Sequence, residues 1–251
     1  MKQVTLITGA SAGLGVEFAR QLAKRGDALV LAARRKDRLD SLATELGNAR
    51  AVAIDLAAPD ATKRLTADLA AAGEQVDTLI NNAGFGLWGR FAQQQPARLR
   101  EMIDLNVGAL TDLCRLVAPA MIERRSGAIL NVASTAAFQP GPNMAVYFAT
   151  KAYVLSFTEA LHEELKPNAI RVTCLCPGPT RTEFGEVAGF RGSGLFERVA
   201  MQAPEVVAAG LKGLDRNKAV VVPGISNKIT AASTRFAPRH LVRKIAGAIK
   251  Y

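Results

Sequence analysis

Tyr147 and Lys151 stand four residues apart in Tyr147-Phe148-Ala149-Thr150-Lys151. On a helix that spacing sets both side chains on one face, about one turn from each other. A phenol is a poor acid at neutral pH, with an ordinary pKa of about 10. A cation about 4 Å away, at an effective dielectric near 20, favours the phenolate by roughly 4 kcal/mol, or about three pH units. The pair is therefore a sensible proton donor and acceptor. Taken singly it is a weak signal, because a buried aromatic beside a surface lysine has the same spacing.

A proton donor of this kind needs elements that bring it to a reaction partner. Residues 4–7 form a short apolar strand that runs into Thr8-Gly9-Ala10-Ser11-Ala12-Gly13-Leu14-Gly15, followed by a helical pattern through Leu22. Glycine lets the backbone turn tightly and approach a phosphate, and the free N–H groups of the following helix favour an anion. A loop of this type between strand and helix is what a dinucleotide-binding fingerprint requires; a glycine-rich turn that only packs helix on sheet is the alternative. Residues 28–33 are an unbroken apolar strand, expected to be buried on both faces, ending in Arg34-Arg35. In a fold of this type an acid at the strand end holds the ribose 2′-hydroxyl of NAD, whereas arginine suits a 2′-phosphate. Ala33 occupies the acid's place, which favours NADP(H), with NAD(H) as the alternative. A solvated charge pair after the strand is the competing reading of Arg34 and Arg35.

Further strands are expected at 51–54, followed by Asp55-Leu56, and at 76–80, followed by Asn81-Asn82-Ala83-Gly84. Polar residues at strand C-termini line the crevice where open α/β sheets bind ligands, although two adjacent Asn are also turn formers. A helix over about 102–123 carries Asn106, a polar residue that a helix interior disfavours. Strand 128–132 ends near Ser134, a long helix through about 165 holds Tyr147 and Lys151, and strand 171–176 is stopped by Pro177-Gly178-Pro179-Thr180-Arg181-Thr182. Residues 219–222 form a seventh strand. Alternating strands and helices with short connections predict a three-layer α/β fold of the Rossmann type, a doubly wound parallel sheet of about seven strands with right-handed crossovers. A single domain over residues 1–251 is expected, without internal repeats or linkers.

Composition narrows the classes. The 251 residues are 49% hydrophobic and 22% charged, ordinary for a globular protein with a sizeable core. Cys114, Cys174 and Cys176 are odd in number and lack a zinc pattern, and His162 and His240 are far apart, so no metal site is expected. Buried thiols in a reducing compartment are the simplest reading. No secretory leader and no apolar run approaching bilayer length stand out, which makes the cytoplasm the expected location. Of the net charge of +10, six positive charges fall at 225–251, where no acidic residue occurs, leaving +4 elsewhere. That distribution, with no nucleic-acid-reading motif beside it, argues against a nucleic-acid partner.

Together these residues resemble the short-chain dehydrogenase/reductase family over about 3–224. The resemblance rests on an ordered set: Thr8-Gly9 with Gly13 and Gly15, Asp55, Asn81-Asn82-Ala83-Gly84, Asn106, Ser134, Tyr147 with Lys151, and Pro177-Gly178. It implies Tyr147 as the proton donor to a carbonyl or acceptor from an alcohol. Ser134 would stabilise charge on the substrate oxygen, Lys151 would hold the nicotinamide ribose and lower the Tyr147 pKa, and Asn106 would organise a water chain from Lys151 to solvent. The resemblance further implies cofactor contacts from the glycine loop (Thr8, Gly9, Ser11, Gly13, Leu14, Gly15), from Arg34 and Arg35, from Asp55 and Leu56 at the adenine, and from Asn82, Ala83, Gly84, Pro177, Gly178, Thr180 and Thr182. Two departures stand out. Ala12 replaces the Arg or Lys of many NADP-using relatives, which throws the 2′-phosphate onto Arg34, and Thr180 replaces a commoner Val or Ile.

The resemblance implies that the segment 183–204, rich in Gly and Phe, is a substrate flap. Phe184, Phe190, Leu195 and Phe196 there, with Trp88, could line an apolar substrate pocket or simply pack in the core. After Pro238, apolar Leu241, Val242, Ile245, Ala248 and Ile249 share one side of a helix opposite Arg239, Arg243, Lys244 and Lys250. Such a basic amphipathic tail, about 226–251, packs on its own fold, on a partner subunit or on an anionic membrane surface. The resemblance implies a homodimer or homotetramer. The function expected is interconversion of a ketone or aldehyde and its alcohol with NADP(H), Tyr147 acting as general acid and base on a fairly apolar substrate. A non-catalytic dinucleotide sensor and an epimerase or dehydratase on the same scaffold are the alternatives.

Overall fold

Runs of Val, Ile, Leu and Ala too apolar for any solvent-facing side become parallel strands covered on both faces. The computed structural model describes residues 1–189 and 200–248 and contains β1 (Lys2–Thr8), β2 (Leu29–Ala33), β3 (Ala49–Ala53), β4 (Glu74–Asn81), β5 (Gly127–Val132), β6 (Ile170–Leu175) and β7 (Val220–Val221). All pair in parallel, in the order β3-β2-β1-β4-β5-β6-β7. The chain winds outward one way from β1 to β3 and the other way from β4 to β7. The switch between β1 and β4 opens a crevice beyond their C-terminal ends. Every residue of β2 is buried, as its unbroken apolar run predicts, and so is every residue of β5, Asn131 included, whereas edge strand β3 is not.

Helices cover both faces. On one lie α1 (Gly13–Ala23), α2 (Lys36–Leu46) and, later in the chain, the helix Ala203–Asp215, which together bury Phe18, Leu22, Leu39, Val206 and Leu211 against β1, β2 and β6. Each such side chain contributes roughly 1.5–3 kcal/mol of apolar burial. On the other face lie α3 (Ala61–Ala71), α4 (Pro96–Ile103), α5 (Leu110–Arg124) and α6 (Ala145–Leu165). Their core residues include Leu65, Leu113, Met121 and Val154. The short α7 (Phe184–Ala188) precedes the helix Ala203–Asp215, here α8, and α9 (Ile225–Ser233) and α10 (Arg239–Ala248) form the tail.

Two expectations change. The single helix expected over 102–123 is α4 and α5 joined by a π-helical segment, Asp104–Ala109, which contains Asn106. An extra residue in the turn re-aims side chains, and it turns Asn106 inward, where its amide is fully used rather than wasted. The run Pro96–Arg124 also contains an 18-residue window of mean hydropathy 1.3, long and apolar enough by composition to cross a membrane, contrary to the expectation of no such stretch. It is an amphipathic core helix: Leu113, Cys114, Val117 and Met121 face the sheet, while Arg115 and Leu116 face solvent.

Beneath α6 a buried polar chain fixes its seat. Asn81 Nδ2 donates to Asn131 Oδ1 at 2.9 Å, and Asn131 Nδ2 donates to Thr158 Oγ1 at 3.0 Å. These bonds tie the ends of β4 and β5 to the helix that carries Tyr147 and Lys151. Leaving any of these buried amides unpaired would cost about 1–3 kcal/mol. Cys114, Cys174 and Cys176 are buried free thiols, in line with the simplest reading of the sequence.

Candidate active site

The glycine loop is built for contact with backbone. Gly9 and Gly13 have φ of +66° and +53°, in the left-handed region that glycine adopts without penalty. A Cβ on Gly15 would lie 2.2 Å from the Gly9 carbonyl oxygen, so only glycine lets α1 start this close to the loop. Thr8 holds the loop from below: its Oγ1 accepts from the backbone N–H groups of Asn82 and Ala83, each at 3.0 Å. Asn82 Nδ2 donates to the carbonyls of Thr8 and Gly9 at 3.0 and 3.2 Å. Thr8, Asn82 and Gly15 thus shape the loop, and Gly9, Ser11, Gly13 and Leu14 present it to a cleft of about 480 Å³.

That cleft runs along the C-terminal ends of the strands. Ala33, Arg34, Arg35 and Leu56 line one region and Ala83, Gly84, Pro177, Gly178, Thr180 and Thr182 its floor and far wall. Ser134, Tyr147 and Lys151 close the other end. Ser134 lies within hydrogen-bonding reach of the Tyr147 phenol. Its Oγ also accepts from Ala136 N at 3.1 Å and donates to the Pro177 carbonyl at 3.4 Å, which holds the hydroxyl in place. Lys151 Nζ donates to the Val132 carbonyl at 2.8 Å and lies 5.9 Å from the centre of the Tyr147 ring.

Electrostatics differ from the simple pair. Burial pushes the Tyr147 phenol up to about 12, partly offset by the Ser134 hydrogen bond, rather than down as a cation at 4 Å would. Burial likewise pushes the Lys151 ammonium down to about 8, against an opposing effect of the Cys174 and Cys176 thiols. Desolvation therefore dominates at both groups.

Asn106 sits behind them. Its Oδ1 accepts from Phe85 N at 3.1 Å, and its Nδ2 donates to the Phe85 carbonyl at 2.9 Å and to Thr150 Oγ1 at 3.1 Å. Thr150 in turn donates to the Tyr147 carbonyl at 2.7 Å. A Cβ on Gly84 would meet Asn106 Oδ1 at 2.9 Å and Lys151 Nζ at 3.5 Å, so the Asn and the Lys flank the same backbone position.

The sequence pattern of the short chain dehydrogenase family matches residues 3–189. The chain belongs to that family. An NADP-dependent 3-hydroxy acid dehydrogenase of Salmonella typhi is 38% identical over 192 residues, covering 75% of this chain and 77% of its own. A short-chain dehydrogenase from Sphingobium yanoikuyae, solved in complex with NADPH, is 34% identical with a TM-score of 0.83 and covers 100% of this chain and 97% of its own. The bulky-bulky ketone specific alcohol dehydrogenase from Comamonas testosteroni is 30% identical with a TM-score of 0.79, covering 100% and 95%.

For this short-chain dehydrogenase the structure brings together most of the residues singled out in the sequence and sets a few apart. Asp55 is exposed and does not line the cleft; its carboxylate accepts from Ala57 N at 3.0 Å, making a local turn, while neighbouring Ile54 and Leu56 face the cleft. Trp88 does not line the cleft either and packs beside the cluster of Phe85, Met102 and Met144. Phe184 does reach the site, its ring centre 5.4 Å from that of Tyr147. Phe190, Leu195 and Phe196 lie outside the described residues. Residues not singled out complete the wall beside Tyr147: Phe85, Met144, Phe148 and Val187. Met144 and Phe148 flank Tyr147 at three residues before and one after, a signal the sequence did contain. Gly86 is a further omission. A Cβ there would lie 3.0 Å from both Met144 Cε and Phe184 Cζ, so its lack of a side chain makes room beside the tyrosine.

Proposed function

We propose that this dehydrogenase reduces the carbonyl of a fairly apolar ketone or aldehyde with NADPH, and runs the reverse oxidation. The observation that carries the reading is one continuous cleft with the glycine loop and Arg34–Arg35 at one end and Ser134, Tyr147 and Lys151 at the other. A dinucleotide suits this cleft: its glycines keep side chains out of the loop surface, and Arg34 and Arg35 place positive charge beside an Ala33 that has no carboxylate to repel a 2′-phosphate. Bound NADPH supplies the hydride.

The chain's own residues handle the oxygen and the proton. Ser134 donates to the substrate carbonyl oxygen and stabilises the charge that develops there. Tyr147, kept neutral by burial, is in the right form to give its proton to that oxygen. Lys151 holds the nicotinamide ribose and counters the phenolate left behind, while Asn106 holds the backbone next to it. Phe85, Met144, Phe148 and Phe184 give the substrate end an apolar wall, which supports an apolar substrate over a small charged one. One domain over residues 1–251, with 183–204 as its substrate flap, is part of this reading. Cytoplasmic location and a homodimer or homotetramer belong to the same reading.

NADPH oxidation measured across carbonyl compounds graded by size and polarity tests it. Turnover of apolar ketones or aldehydes is expected. Normal cofactor binding with no turnover would instead support a sensor, and substrate conversion without net cofactor change would support an epimerase.

A second reading concerns the tail. Ile225 and Ile229 on α9, Phe236, and Leu241 and Ile245 on α10 are all exposed, Phe236 at 87%. Beside them stand Lys228, Arg235, Arg239, Arg243 and Lys244, with no acidic residue among 225–248. Exposed apolar and basic residues on adjoining helices support peripheral contact with an anionic lipid surface. Sedimentation with anionic vesicles is expected to carry the protein down at low salt and not with neutral vesicles; absence of partition to both rules this contact out.

A further inference from the structure

Arg34 and Arg35 are adjacent, yet their surroundings divide them. Arg34 is 59% exposed and, among the described residues, pairs with Glu101 at 3.2 Å, a surface contact that a phosphate could replace. Arg35 is tied on three sides. Its Nε donates to Ser11 Oγ and its Nη2 to the Ser11 carbonyl, both at 3.2 Å, so one edge of the guanidinium grips the glycine loop. Its Nη1 donates to Glu183 Oε2 at 3.1 Å. Arg38, one helical turn further along α2, donates to the other Glu183 oxygen at 2.7 Å.

Glu183 follows Thr182 directly and stands at the start of α7, 148 residues away in sequence from Arg35. The Thr182 side chain lies over the glycine loop: a Cβ on Gly13 would be 3.1 Å from Thr182 Cβ. Ser11, Arg35 and Glu183 all line the cofactor cleft, whereas Arg38 does not. The two guanidiniums, Arg38 foremost, hold the Glu183 carboxyl below the usual carboxylate range, so it stays ionised well into mild acid. The base of the flap is thereby tied across the cleft to the glycine loop and to α2.

We propose that Glu183, with Arg35 and Arg38, forms an ionic strap across the mouth of the cleft that retains the dinucleotide whatever its 2′-substituent, leaving the choice between NADP(H) and NAD(H) to Arg34. The proposal rests on the reading that the cleft binds a dinucleotide. Three of the five N–H groups of Arg35 are engaged, two on Ser11 of the loop and one on Glu183, which fixes the guanidinium between loop and strap, whereas the exposed Arg34 is free to turn to the 2′-position. Leaving the cleft requires parting Glu183 from two cations. Two partly exposed pairs of ordinary strength slow escape about five-fold.

The test is stopped-flow displacement of NADPH and of NADH from the full-length wild type, Glu183→Gln, Arg38→Gln and the double variant. Arg38 does not touch the cleft, so its substitution removes one of the two pairs of the strap without altering a cofactor contact. Glu183→Gln, which breaks both pairs, is expected to release both cofactors about five-fold faster, and Arg38→Gln, which breaks one, about two-fold faster, with the double variant no faster than Glu183→Gln because it removes nothing further. The difference from wild type is expected to collapse at about 1 M salt, where charges are screened beyond about 3 Å. The melting temperature of the cofactor-free Arg38→Gln variant is expected to match wild type, and a fall would mark general loosening and overturn the proposal. Slower release of NADPH alone from Glu183→Gln would mean that Glu183 competes with the 2′-phosphate for Arg35, and would overturn it too. Normal binding with unchanged release in both single variants defeats the strap alone, whereas failure of the wild type to bind either cofactor defeats the dinucleotide reading on which it stands.

Discussion

Replacing Lys151 by methionine should make the cofactor-free protein more stable while ending its activity. The ammonium is buried, and burial lowers its pKa from an ordinary 10.5 to about 8. At 1.36 kcal/mol per pH unit, that difference is a penalty of roughly 3 kcal/mol on the folded state wherever the lysine is charged in both states. Methionine fills a similar volume without charge. It leaves the Val132 carbonyl without its 2.8 Å partner, a loss of about 1 kcal/mol. The net gain is about 2 kcal/mol at pH 7, or a rise in melting temperature of roughly 4–8 °C for a chain of this size. The pH dependence gives the sign. Below about 8 the folded and unfolded lysines are both protonated and the penalty is complete. Between about 8 and 10.5 the unfolded chain still binds the proton that the folded one has lost, so the wild type gains stability as pH rises and the gap to the variant closes. Calorimetric melting of both proteins at pH 7 and near pH 10 checks this, because other titrating groups cancel in the difference. A Lys151→Met protein no more stable than wild type at pH 7, or a gap independent of pH, would refute the claim that desolvation dominates at this lysine.

Other outcomes follow from the same geometry. Gly15→Ala places a Cβ 2.2 Å from the Gly9 carbonyl oxygen, so the loop must move by about 1 Å to reach ordinary contact. Overpacking of this kind costs about 1–3 kcal/mol, and fluorescence titration should show NADPH affinity weakened about ten-fold or more in a protein that remains folded. Arg34→Asp sets a carboxylate beside Glu101 and Ala33, where it repels a 2′-phosphate and can accept from a ribose hydroxyl. The ratio of kcat/KM for NADPH over NADH should fall by about ten-fold or more, and an unchanged ratio would remove Arg34 from the phosphate site.

The parts of this protein legible in its sequence are those governed by local pattern. Mostly apolar runs marked all seven strands to within one or two residues, although Asp77, Asn131 and Arg171 interrupt those of β4, β5 and β6, because a strand covered on both faces keeps few polar positions. The glycine loop, the Arg34–Arg35 pair after β2 and the Tyr147–Lys151 spacing were visible because each is set by a few adjacent positions. What stayed hidden depends on distant partners or on a single inserted residue. Nothing in the apolar period of 96–124 marks the π-helical segment that turns Asn106 inward. The ionic tie of Glu183 to Arg35 and Arg38 joins positions about 148 residues apart. Asp55 is polar at a strand end, as crevice residues are, yet its carboxylate is used on Ala57 N instead. The direction of the Tyr147 pKa was misread because spacing reveals a nearby cation but not how completely both groups lose water.

The proposed chemistry stands or falls with the Tyr147 hydroxyl. The Phe side chain preserves the ring contact with Phe184 and removes only the oxygen that faces Ser134. Single-turnover reduction of an accepted ketone by NADPH should slow about a hundred-fold or more in Tyr147→Phe, the range lost with a general acid, while the NADPH dissociation constant stays within about two-fold of wild type. A Tyr147→Phe enzyme that keeps more than about five per cent of the wild-type rate, with cofactor bound as tightly, would contradict the assignment of the proton to Tyr147.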